Sequence, residues 1–193
     1  MAEETKEMKQ VGMVFDEYVK KPFSQDAYNA NDDTAKKVTR RLFKQVGIEL
    51  SEFTPQGSPF EIDLTGQFKG RTIYVECAKT QNTQWDGFSF PASWEGIHVP
   101  VRKEAKLNAD KWPKQYDIKQ KDIYYSLVNR YLSFVAVCFD TSAILNSPKI
   151  NLTKTPIHQP DHTTPDSFYI VPLEHWKIKE NPQPNIQAPT NEI

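Results

Sequence analysis

A chain of 193 residues, 38% apolar and 12% aromatic, holds enough large side chains for one core and is short for two independent domains. A formal charge of -1 excludes a broadly basic coat for nucleic acid, and no 18-residue apolar run is present to span a membrane as a helix. Fourteen prolines against seven glycines favour fixed turns over flexible linkers, and the charged start MAEETKEMKQ lacks a signal peptide's apolar stretch. Cys77 and Cys138 lie inside apolar strand-like runs, where reduced core thiols are the usual outcome, so a cytoplasmic compartment is expected.

In chain order, residues 1–31 read as an N-terminal extension, with a short helix across residues 8–20 before Pro22. Asp32 or Asp33 is a natural N-cap for the segment TAKKVTRRLFKQVG, in which Ala35, Val38, Leu42 and Val46 fall at helical spacing and Gly47 marks the stop. Lys36, Lys37 and Arg40, with Arg41 and Lys44, are placed largely off that stripe. They fit either a phosphate-contacting face or a solvated flank. The turn PQGSP leads to a strand over residues 60–64, then GQFKGR as a hairpin connection, then a strong strand over residues 72–78, TIYVECA. The polar stretch KTQNTQWDG precedes GIHVPV, whose proline argues for an edge or interrupted strand. A partial helix is expected before Trp112-Pro113, then two strands over residues 122–128 and 133–139, because the β-branched and aromatic content outweighs a helical reading. Residues 143–145 read as a short strand or turn, residues 167–173 as a last extended segment, and residues 179–193 as a tail. The body is therefore an α/β domain over residues 32–178, with a mixed central sheet flanked by helices.

Two carboxylates stand out. Glu76 sits in the most apolar strand, where a lone charge is costly, and Asp63 lies thirteen residues before it. If the two strands pair, both carboxylates project to one point, and with the backbone carbonyl of Cys77 they make an oxygen site suited to Mg2+ or Mn2+. The same residues also allow a structural ion pair with Arg71, Lys79, Arg102 or Lys103. Glu61 shares Asp63's face as a possible third carboxylate.

The order EIDLTG, GRTIYVECAKT, GIHVPVRK and DIYYSLVNRYLSFVAVCFD resembles the PD-(D/E)XK nuclease superfamily, the restriction-endonuclease-like fold, over roughly residues 34–140. The resemblance makes Asp63 the aspartate of the motif and Glu76 the acid before X-K. It implies metal-dependent phosphodiester hydrolysis with DNA favoured over RNA, and a homodimer if both strands of a duplex are cut. Some members have lost activity and only bind nucleic acid or a protein partner. The chain departs from the pattern where the lysine is expected, since that position holds Ala78. Lys79 comes one residue late and needs a bulge to reach the acids. Lys103, after HVPVR, is the preferred replacement from a neighbouring strand, with Arg102 as a phosphate contact because its guanidinium stays protonated.

Other residues carry weaker signals. Gln81 is a possible polar neighbour of the site. Trp85, Phe88, Phe90 and Trp94 bracket the loop after it and fit either base stacking or loop anchoring. His98 reads as a partly buried structural histidine. His158 and His162 lie in a proline-broken stretch without a nearby cysteine, which leaves structural zinc unsupported.

Overall fold

The computed structural model describes residues 25–53, 62–80, 82–152 and 166–181. The readings for residues 8–20, Glu61, Gln81, His158, His162 and the chain after Asn181 lie outside the described residues. The elements are α1 (Gln25–Gln45), β1 (Leu50–Glu52), β2 (Leu64–Phe68), β3 (Arg71–Lys79) and β4 (Ile97–Pro100). A 3-10 turn (Val101–Lys103) runs into α2 (Glu104–Leu107). Then come β5 (Ile123–Val128), β6 (Phe134–Cys138), α3 (Thr141–Leu145), β7 (Lys149–Leu152), β8 (Asp166–Val171) and β9 (Trp176–Glu180).

Six strands form one mixed sheet in the order β1-β2-β3-β5-β6-β9, in which only β3 and β5 run parallel. A second sheet has the order β4-β8-β7 and is antiparallel. The central strands β3 and β5 are apolar on both sides because both sides are covered. On one side Ile73, Val75 and Cys77 pack with Ala35, Val38 and Leu42 of α1. On the other, Tyr74 and Tyr125 share a core with Ile97, Val99, Tyr169 and Val171 of the second sheet. The fold is thus α/β with a mixed sheet, as the residue pattern predicts, and among the described residues no helix is long and apolar enough to cross a membrane.

Several boundaries differ from the sequence expectation. The helix begins at Gln25, and Asp32 lies inside it as the i,i+4 partner of Lys36, with its carboxylate 2.9 Å from Nζ. The strand expected over residues 60–64 begins only at Leu64, and Gly66 to Phe68 belong to it instead of to the turn. The turn itself is two residues, Lys69 and Gly70, both at positive φ as a type I′ hairpin requires. Residues 141–145 are helical because Asp140 accepts from the Ser142 amide at 3.1 Å and caps the turn. β7 was not foreseen. β9 carries the chain to Glu180, past residue 179 where the tail was placed, with Trp176 buried against the sheet. Pro100 ends β4 at the edge of the smaller sheet, where a missing N–H is tolerated.

The parallel pair β3 and β5 requires a long crossover. This chain spends residues 80–122 on it, and β4, the 3-10 turn and α2 all lie within that crossover.

Candidate active site

β2 pairs antiparallel with β3 in an unbroken register, with Leu64 opposite Val75. One residue further along that register, Asp63 comes opposite Glu76. Because β2 has not yet begun at Asp63, the Cys77 N–H on that edge of β3 has no strand partner. The Asp63 carboxylate takes the partner's place: Cys77 N donates to Asp63 Oδ2 at 2.7 Å. Its other oxygen, Oδ1, lies 3.6 Å from Lys36 Nζ of α1.

Glu76 is completely buried on the face of β3 that turns to the second sheet. Two ammonium groups reach it from the turn after β4. Lys103 Nζ donates to Glu76 Oε1 and also to the Cys77 carbonyl at 3.3 Å, and it lies 5.7 Å from the Tyr125 ring centre. Lys106 Nζ donates to the same Oε1 at 3.2 Å. Glu76 Oε2 is buried and has no hydrogen-bond partner among the described residues. A buried carboxylate oxygen left unpaired is costly, which makes this atom the natural place for an additional positive ligand.

Burial raises the Asp63 carboxyl to about 6, with the negative charge of Glu76 adding to it; the Cys77 N–H and Lys106 act against both. For Lys103, burial works against the charged form. The charge of Glu76 and the hydrogen bond to that carboxylate together outweigh it and hold the amine above its ordinary value. Lys36 follows the same logic: burial opposes its charge, but Asp32 and Asp63 prevail. Tyr125, fully buried beside this cluster, has its phenol pushed up to about 12 by desolvation, so it stays neutral.

The expected residues divide clearly. Asp63, Glu76, the Cys77 carbonyl and Lys103 converge. Lys79 does not join them: β3 keeps an uninterrupted register with β5 to the pair Lys79–Val128, so the bulge that would turn Lys79 to the acids is absent. Lys79 shares the parity of Cys77, towards α1, and not that of Glu76. Arg102 is exposed on the 3-10 turn and Lys37 is exposed on α1. Arg40 donates to Glu52 at 2.9 Å. Lys36, expected as a phosphate contact, instead borders the acid pair.

Of the aromatic loop, Trp85 is fully buried and Phe90 stacks on Trp94. That is loop anchoring, not a base-stacking surface. Phe88 is exposed but rests on Phe134. His98 lies on the outer side of β4 beside Phe168, where partial burial lowers its pKa.

Lys106 was missed by sequence reasoning. Its signal was the spacing: Lys103 and Lys106 are three apart, the separation that puts two side chains on one face of a helical turn.

Metal chemistry can be tested against the donors present. Among the described residues no three His, Cys, Asp or Glu side chains gather, so a site here consists of two carboxylates and a main-chain oxygen. The unpartnered Glu76 Oε2, the loosely paired Asp63 Oδ1 and the Cys77 carbonyl are hard oxygen donors, which fit a small divalent cation. Comparison of the chain with family models, with curated proteins and with solved structures returned no match.

Proposed function

We propose that this protein is a divalent-metal-dependent nuclease with a restriction-endonuclease-like architecture. The observation that carries the reading is the convergence of Asp63 and Glu76 at the mouth of β2 and β3, with an amine delivered to them from the β4 turn. In the family pattern that amine follows the acid on its own strand. Here Ala78 holds that position, and the crossover supplies the charge instead. The mixed sheet with one parallel pair, and α1 covering one face, are compatible with this reading.

Asp63, Glu76 and the Cys77 carbonyl would hold Mg2+ or Mn2+, which would supply Lewis acidity to a water molecule and to the phosphate. The chain's own residues do the rest. Asp63 is fixed by the Cys77 amide and keeps its second oxygen only loosely held, 3.6 Å from Lys36. Lys103 holds Glu76 in one orientation. Lys36 and Lys106 add positive charge on either side of the acids, where a phosphodiester would arrive.

A second reading keeps the fold and drops the chemistry. It is favoured by one observation: Lys103 already occupies both Glu76 Oε1 and the Cys77 carbonyl. In that case the protein binds nucleic acid, or a protein partner, without cutting.

The deciding experiment is cleavage of labelled DNA and RNA, single- and double-stranded, with Mg2+ or Mn2+, comparing the native chain with Asp63→Asn and Glu76→Gln. Hydrolysis lost by at least ~100-fold in both variants is expected. Hydrolysis undiminished in both would sink the assignment, and binding without hydrolysis in the native chain would select the second reading.

A further inference from the structure

The two lysines on the β4 turn are not equivalent. The ammonium of Lys103 has three N–H donors. One goes to Glu76 and one to the Cys77 carbonyl, and the Tyr125 ring stands beside it within cation–π range. Its side chain is 13% exposed. At most one N–H is left, beside the Tyr125 ring. Among the described residues Lys106 donates to one acceptor, Glu76 Oε1, and its side chain is 30% exposed. It has donors to spare and is the more exposed of the two lysines.

The backbone carrying Lys106 is also held unusually firmly for a surface turn. Trp112 Nε1 donates to the Lys106 carbonyl at 3.0 Å, and Gln120 Nε2 donates to the Leu107 carbonyl at 2.7 Å. Gln120 is itself fixed, accepting from the Ala109 amide and donating to Thr141 Oγ1. At the other end of the turn, Glu104 accepts from Tyr169 Oη and from Lys149 Nζ of the second sheet. A flexible lysine needs no such support to be a solvated charge; one that must meet a group at a set position does.

We infer that Lys106 is the side chain that contacts the scissile phosphate, and that Lys103 is the buried counter-ion that holds Glu76 in place. The inference rests on the phosphodiester reading above. It assigns the substrate contact to a residue that neither the motif nor the strand pattern indicates.

The test uses the full chain with Lys106→Gln, which retains a donor for Glu76 but removes the charge, together with Lys106→Arg and Asp63→Asn. Fluorescein-labelled DNA and RNA oligonucleotides are titrated in Ca2+ to read affinity against salt, and cleavage is followed in Mn2+. Lys106→Gln is expected to lose ~100-fold in cleavage rate. The slope of log affinity against log salt should fall by about one. Its melting temperature should stay close to that of the native chain, and Lys106→Arg should recover the slope.

If Lys106→Gln cuts and binds like the native chain while Asp63→Asn is dead, the inference fails and the nuclease reading stands. If the native chain binds without cutting, the hydrolytic reading fails, and the salt slope of Lys106→Gln alone decides the phosphate contact. A native chain that neither binds nor cuts overturns both.

Discussion

Asp63 stands where a β2 backbone carbonyl would otherwise stand, accepting the Cys77 amide, and it does so next to a second carboxylate. Its proton therefore reports on folding. Burial and Glu76 raise its carboxyl to about 6 from an ordinary 3.8, so the folded chain holds this proton more tightly than the unfolded chain. The sign follows: as pH rises from about 4 to 6, this group removes about 3 kcal/mol of stability, which is not regained at higher pH. Asp63→Asn keeps an acceptor for Cys77 and lacks the charge. In urea denaturation with EDTA it should match the native chain near pH 4 and exceed it by up to about 3 kcal/mol above pH 7; a constant gap would show that Asp63 titrates normally. Lys103 presents the opposite case. Lys103→Met leaves a fully buried Glu76 with Lys106 alone, at a cost of about 3–5 kcal/mol. The double variant with Glu76→Gln should recover much of that loss, and chemical denaturation of both variants measures it.

At the scale of the element, the Lys69–Gly70 turn sets the β2–β3 register and so decides what faces Asp63. Lys69 adopts φ 49, a region that asparagine tolerates better. Lys69→Asn should add about 0.5–1 kcal/mol without altering the site, read as a rise in the denaturation midpoint at unchanged slope. The strands legible from residues alone were β3, β5 and β6, apolar on both faces, together with the extended runs that form β4 and β8. Their weakly apolar neighbours were harder. β2 was displaced because LTGQF, with glycine and glutamine, has few strand-forming residues, and its place is fixed by pairing with β3. β9 has the alternation WKIKE, with Trp176 buried and both lysines exposed, but five residues beside a polar tail gave it little weight. α3 depends on the cap from one side chain, Asp140, which accepts from both the Ser142 amide and its hydroxyl. The acid pair was legible because a glutamate inside TIYVECA demands a partner. The partner's identity was less so, since Lys106 is brought to Glu76 only by the path of the crossover.

At the scale of the whole molecule, the acids belong to the large sheet and the lysines to a turn anchored on the small one. On the proposed reading, a cation bound between Asp63 and Glu76 would relieve the orphaned Glu76 Oε2 and compete with the Asp63 proton, and its binding would stabilise the fold by mass action. Added Mn2+ at about a hundred times its dissociation constant should contribute about 2.7 kcal/mol at pH 7.5. The same concentration should do much less at pH 5, where Asp63 is protonated. Equal shifts in melting temperature at the two pH values would remove Asp63 from the binding site.

The parallel pairing of β3 with β5 joins residues 49 positions apart, from Tyr74 to Ile123, whereas the β2–β3 hairpin closes locally. A nascent chain can therefore complete the hairpin, with Asp63 and Glu76 side by side and hydrated, long before the crossover has paid its loop-closure entropy. Lys103 and Lys106 reach Glu76 together with the desolvating wall of the second sheet. The charge of Glu76 is thus met by its lysines in the same late step that removes its water, whereas Asp63 meets Lys36 of α1 without the crossover.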